Sequence, residues 1–148
     1  MTQGFLRASP GHPEVIKLEA EMQAEYVEMY GEPDQDPDNH KNQTEEMILA
    51  HVDGDPAGIA GWKRWPSGEG KVCLVYVTPR HRRKGLALEM LIRMEEAMKA
   101  KGLHAVKFES GPKQEPAHRM YDNHGYRRVA GFGFYRDAEG SEFFRKEL

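Results

Sequence analysis

Apolar residues recur at spacings of three and four in two stretches of the chain, which predicts two long amphipathic helices. The first stripe is Val15, Leu18, Met22, Tyr26, Met29 and Tyr30. It follows Pro13, suited to a first helical turn because its missing N–H would be unpaired there, and stops at Gly31. The second runs from Leu86 to Lys101, with Leu86, Met90, Leu91, Met94, Ala97 and Met98 inward, and ends at Gly102. Elsewhere the pattern is that of strands. A short one is predicted at Phe5 to Ala8. Met47 to Val52 and Ala57 to Arg64 form a pair joined by Asp53-Gly54, a strong hairpin signal. After a turn at Pro66-Ser67-Gly68, the near-continuous apolar run Val72 to Val77 reads as a strand buried on both faces. Ala105 to Glu109 is a second buried strand, so this strand–helix–strand unit is expected to pair in parallel. A shorter helix at Pro116 to Asn123 and a hairpin turning at Asp137 to Gly140 complete the series, while the polar stretch Glu32 to Glu46 is expected to be irregular. This order predicts an α/β fold, a mixed sheet with helices packed on it.

The 148 residues suit one domain spanning 1–148, and 39% hydrophobic with 30% charged residues is the balance of a soluble globular protein. A net charge of -3 carries no basic footprint for nucleic acid. No apolar run approaches the roughly 20 residues of a membrane span, and the N-terminal residues lack the apolar stretch of a signal peptide. The single cysteine, Cys73, excludes an internal disulfide and fits a reducing compartment, so a cytoplasmic location is expected. Inside an apolar strand its thiol is expected to stay protonated and inert.

The most informative segment is Arg82-Arg83-Lys84-Gly85-Leu86-Ala87, between the buried strand and the long helix. A helix start exposes unpaired N–H groups and the positive end of its dipole, so anions settle there. Gly85 lets the backbone come close to such an anion, and Arg80, Arg82, Arg83 and Lys84 add side-chain charge. Basic charge at a helix N-terminus is unfavourable for the helix itself, so a purely structural role explains the cluster poorly. The segment is neither a Walker loop nor G-x-G-x-x-G, which argues against an ordinary nucleoside triphosphate or dinucleotide.

The strand ending Val75-Tyr76-Val77-x-Pro79, followed by Arg82-x-x-Gly85-x-Ala87 opening a helix, resembles the acetyl-CoA motif of the GNAT family of N-acetyltransferases. A second match is Gln114-x-x-Ala117-x-x-x-Tyr121-x-x-x-Gly125-Tyr126, where that family shows N-x-x-A-x-x-x-Y-x-x-x-G-F. The two motifs cover the C-terminal half at the expected interval, and element order extends the likeness to the rest. The resemblance implies a GNAT-type mixed sheet of about six or seven strands and transfer of an acetyl group from acetyl-CoA to an amine by direct attack. It implies that Arg82, Arg83, Lys84, Gly85, Leu86 and Ala87 cradle the pyrophosphate, that Val75, Tyr76 and Val77 pair with the pantetheine arm, and that Gln114 and Ala117 belong to the same site. It implies that Tyr121 is the acid for the leaving thiolate. A homodimer is also consistent with it. A small-molecule amine is the first reading of the acceptor; a protein lysine or N-terminus is the alternative, and a sensor that binds acetyl-CoA without turnover is a third.

The general base is where the sequence departs from the family. Many relatives carry a glutamate near the start of the buried strand, and Lys71 aligns there. Glu69, two residues earlier and on the same strand face, is the substitute considered first, with Glu45, Glu46, His51, Glu109 and His118 behind it. One competing class remains. Asp34, Asp36, Asp38 and Glu45 have the spacing of an EF-hand loop, but Pro37 lies among the ligands and Asn39 replaces the glycine, so an acidic loop over the acceptor side is preferred. The seven histidines lack metal-ligand spacing, and no metal is expected.

Overall fold

The computed structural model describes residues 1–148. Seven strands and three helices form it: β1 (Gln3–Ala8), α1 (Pro13–Tyr30), β2 (Glu46–Val52), β3 (Asp55–Trp65), β4 (Glu69–Val77), α2 (Leu86–Ala100), β5 (Ala105–Ser110), α3 (Glu115–Asn123), β6 (Arg127–Arg128) and β7 (Glu142–Glu147). Both long helices lie where the stripes predict. In α1, Pro13 occupies the first turn, His12 caps the Glu14 N–H, and Gly31 stops the helix at φ 85°. The strands join one sheet of order β1-β2-β3-β4-β5-β7-β6, in which β4 and β5 are parallel and the other pairs antiparallel.

Each sheet face carries its own core. Val15, Leu18 and Met22 of α1 pack on Met47, Leu49, Ile59, Leu74 and Tyr76. Opposite, Met90, Leu91, Met94 and Met98 of α2 meet Trp62, Val72, Val106, Phe108 and Phe144, joined by Tyr121 of α3. A methionine-rich helix face adapts to the irregular relief of such a sheet. It also presses close, since a Cβ on Gly70 would come within 2.5 Å of Met98 Sδ.

One local irregularity opens the sheet. In the β3–β4 pair, Gly61 faces Leu74 but Trp62 faces Val72, so Cys73 is an extra residue on β4. Such a bulge bends the strand and increases its twist. The parallel pairing of β4 with β5 covers only Glu69 to Lys71 and Ala105 to Lys107, ending just before the bulge. Beyond it the two strands separate, and the β5-facing edge of β4 has no partner strand through Val77.

Two expectations change. The polar stretch is not wholly irregular, because it folds into 3₁₀ turns at Pro37–Asn39 and Lys41–Gln43. The last hairpin is not tight: β6 has two residues, and residues 129–141 form a loop rather than a strand. Gly133 sits at φ 70°, a backbone conformation that a strand cannot hold. The loop's Phe132 instead packs edge-on against Trp65 and Phe143.

Candidate active site

Two cavities meet where β4 and β5 part. The first, of about 480 Å³, follows the β4 edge at Val75, Tyr76 and Val77 to the start of α2, where Arg82, Arg83, Gly85, Leu86 and Ala87 line it. Gln114, Ala117 and Tyr121 close its far wall. Of the residues expected to hold acetyl-CoA, the structure therefore gathers all but Lys84 around this cavity. Lys84 lies beside it, its carbonyl accepting from Gln3 Nε2 at 2.9 Å and its ammonium 2.9 Å from His81 Nδ1. Arg83 and Gly85 both have positive φ, 65° and 78°. That turn sets the start of α2, whose first-turn N–H groups have no intrahelical acceptor.

The basic cluster is partly neutralised within the chain. Arg82 bridges both oxygens of Glu25 at 2.7 and 2.8 Å and donates to Val77 O at 2.9 Å. Arg80 and His81 share Asp55, whose carboxyl their hydrogen bonds hold down at about 2.

The second cavity, of about 330 Å³, lies between the bulged part of β4, the end of β5, the C-terminal turn of α1 and the 129–141 loop. Its wall includes Tyr26, Tyr30, Asp34, Phe108, Glu109 and Tyr135. Tyr121 borders both cavities, together with Tyr26, Val75 and Gln114. Only 7% exposed, Tyr121 packs edge-on against Phe108 and Phe144 with ring centres 4.5 and 5.1 Å away. Burial, with the Glu109 charge adding, pushes its phenol up to about 12, so it stays protonated.

Glu109, on β5, is the carboxylate among the base candidates that reaches this cavity. Burial raises its pKa from the usual 4.5 to about 7; Asp34 and Asp36 add to the rise, while a hydrogen bond donated by Ser141 Oγ at 3.0 Å and the Lys71 charge oppose it. Such a carboxyl exchanges protons near neutrality. Glu69 faces elsewhere, bound to Arg145 at 2.9 Å and Lys107 at 3.1 Å. Burial would raise its pKa, but those two cations outweigh burial and hold it below the usual value. Lys71 is 3% exposed and paired with Asp36 at 2.8 Å. Glu45 and Glu46 are tied to Arg64, Arg7 and Lys101, and His51 to Glu14. His118 is buried against Phe144, and burial lowers its pKa.

Cys73 borders the second cavity, but burial pushes its thiol up to about 12, so it is no nucleophile at neutral pH. The EF-hand spacing does not assemble. Asp34 accepts from the Asp36 amide, Asn39 and Tyr135, Asp36 from the Asp38 amide and Lys71, and Asp38 from Lys63. Glu45 pairs with Arg64 and Lys101 instead, and no group of three or more His, Cys, Asp or Glu converges on a metal position. Tyr30, Tyr135 and Glu139 of the second cavity were not singled out by the sequence reading. Tyr30 reads as part of the α1 stripe, and the aromatic run Phe132 to Tyr135 is its own visible but unassigned signal.

The sequence profile of the Acetyltransferase (GNAT) family matches residues 14–126. An N-acetyltransferase of Bacillus subtilis strain 168, YsnE, itself uncharacterized, is 27% identical over 94 residues, covering 62% of each chain. Among solved structures, one from Klebsiella pneumoniae subsp. pneumoniae MGH 78578, assigned as an acyl-CoA N-acyltransferase, superposes with TM-score 0.81 at 24% identity over 99% of this chain and 98% of its own. The PaiA N-acetyltransferase of Thermoplasma acidophilum, in complex with coenzyme A, gives TM-score 0.76 at 14% identity over all of both chains.

Proposed function

The chain belongs to the GNAT family of acetyltransferases, which draw their acetyl group from acetyl-CoA, and from that premise we propose that it acetylates a small amine held in the 330 Å³ cavity. The observation that carries this reading is Tyr121, which borders both cavities and so stands where a thioester in one meets an amine in the other. A cavity of about 330 Å³ is of the size that takes a small acceptor.

The roles follow from position. The α2 N-terminus and the residues Arg82 to Ala87 hold the pyrophosphate on backbone N–H groups, as helix starts hold anions generally. The open edge of β4 from Val75 to Val77 offers unpaired backbone groups to the pantetheine amides, and an N–H there steadies the oxyanion. Glu109 takes one proton from the incoming ammonium, freeing the nitrogen lone pair that attacks the thioester carbon. Tyr121 gives its O–H proton to the sulfur as the C–S bond breaks. The new amide nitrogen releases a second proton, which restores the phenol. A phenol at about 12 leaves no phenolate to repel the thiolate, and a carboxyl at about 7 is half ionised at neutral pH.

The test is an amine panel assayed with acetyl-CoA by the appearance of free CoA thiol. Turnover of a small amine, lost in Glu109→Gln, is the expected result. Acetyl-CoA binding with no amine accepted at all would return the chain to a binding role.

A further inference from the structure

We propose that the acceptor is a small di- or polyamine, a primary amine carrying at least one more protonated nitrogen and no carboxylate. This rests on the reading of the 330 Å³ cavity as the acceptor site. The cavity wall contains four carboxylates, Glu32, Asp34, Glu109 and Glu139, and no lysine, arginine or histidine. They arrive from three separate parts of the chain: the segment after α1, strand β5 and the 129–141 loop. This is therefore an enclosure of one sign rather than a single acidic run.

The polar groups of the wall sharpen that sign. Tyr135 donates its hydroxyl to Asp34 Oδ1 at 2.7 Å, and Ser141 donates to Glu109. Ser110 donates to Gln114 Oε1 at 2.8 Å. These three hydroxyls are thus spent on holding oxygens in place. Asn39, 7% exposed, directs its amide N–H at Asp34 Oδ2, 3.0 Å away. The opposite orientation would set oxygen against carboxylate, so the orientation is fixed. Its Oδ1 is left buried with no partner. An unpaired buried acceptor is costly, which adds to the excess of acceptors around Asp34.

The nearby cations do not neutralise this wall. Lys71 is committed to Asp36 at 2.8 Å with Asp38 at 3.7 Å, and Lys63 to Asp38 at 3.0 Å. Lys113, outside the wall, donates to Met29 O at 2.7 Å. The mutual repulsion is visible in Glu109, whose pKa Asp34 and Asp36 help to raise. A monocation meets the charge at Glu109 and leaves Asp34 unmatched, whereas a second ammonium a few methylenes away reaches it. Tyr26, Tyr30 and Phe108 supply apolar wall for the methylenes between. An amino acid brings its carboxylate into the same field and is disfavoured.

The experiment compares 1,4-diaminobutane, 1-aminobutane, 4-aminobutanoate and a single-lysine peptide as acceptors, with free CoA thiol as the readout. The diamine is expected to exceed the other three in kcat/KM by about tenfold or more, one interaction's worth of discrimination. Glu139→Gln and Asp34→Asn should each reduce that preference, read as the ratio of kcat/KM for 1,4-diaminobutane to that for 1-aminobutane in the same variant. Equal use of the monoamine or the peptide, or a preference untouched in both variants, overturns the inference. Calorimetry of 1,4-diaminobutane into the CoA-loaded protein separates the two readings. Binding weakened by Asp34→Asn without turnover sinks the catalytic assignment and keeps this one, and no binding by the diamine sinks this one.

Discussion

Glu109→Gln should inactivate the protein and stabilise it above neutral pH. Glu109 has its pKa raised from 4.5 to about 7 by burial and by its carboxylate neighbours. A carboxyl raised on folding contributes stability that is complete below about 4.5 and lost as pH rises through about 7, because the native state then gives up a proton it holds more tightly than the unfolded chain does. The move from 4.5 to about 7 corresponds to about 3 kcal/mol. Glutamine keeps the size and the hydrogen bond from Ser141 but never ionises, so the variant escapes this loss. At roughly 2–4 °C per kcal/mol for a chain of this size, its Tm at pH 8 should exceed the wild type's by about 6–12 °C, with the two near equal at pH 4. Meanwhile kcat at pH 8 should fall by about 10²–10⁴, the usual contribution of a general base, and the limb near pH 7 in the wild-type profile should vanish. Thermal unfolding and initial rates across pH 4 to 9, run on the same preparations, measure both. A variant that keeps the limb, or whose Tm drops at pH 8, would refute the reasoning.

Tyr121→Phe removes one hydroxyl from an aromatic cluster that Phe108 and Phe144 maintain, so folding should survive while kcat drops by about 10²–10⁴ and acetyl-CoA affinity holds; isothermal titration and single-turnover rates check it. Gly85→Val meets no neighbouring atom but must adopt φ near 78°, at a cost of about 1–2 kcal/mol. The chain should therefore fold and lose its thermal shift with acetyl-CoA, and a retained shift would move the pyrophosphate elsewhere. Lys71→Met leaves Asp36 buried without its cation and should cost about 3–5 kcal/mol in urea unfolding. Lys71→Met/Asp36→Leu should recover most of that.

The helices, the parallel unit and the loop before α2 were legible because each is written in local chemistry: apolar spacing, proline at a start, glycine at a stop. What the sequence hides is whatever depends on partners distant along the chain. Nothing in Val72 to Val77 announces the bulge at Cys73, since the extra residue exists only relative to β3. The Phe132 to Tyr135 run alternates like a strand, yet Gly131 and Gly133 weaken the ladder: Phe132 packs on the sheet, Tyr135 lines the cavity and Phe134 stays exposed. Glu69 opens β4 two residues before Lys71, but its cations come from Arg145 on β7 and Lys107 on β5, and no spacing rule foresees them.

These hidden contacts explain why the carboxylate at the cavity stands on β5. The β4 position that aligns with the family's glutamate is Lys71, and its charge is buried and matched by Asp36 from the loop after α1. That pair ties the acidic loop to the sheet, so a carboxylate at this position would cost the loop its anchor. Among the strands, the one that brings a carboxylate to the cavity is β5, beyond the last β4–β5 pair at Lys107. Glu109 is two residues past that pair, the next residue on the same face of β5. Its proton affinity is then set first by burial, with the Asp34 and Asp36 charges adding to the rise and the Ser141 hydrogen bond and the Lys71 charge opposing it. Through Asp34 the base and the acceptor preference are linked. Weakening the acidic wall, as in Asp34→Asn, should lower both the limb near pH 7 and the preference for a dication.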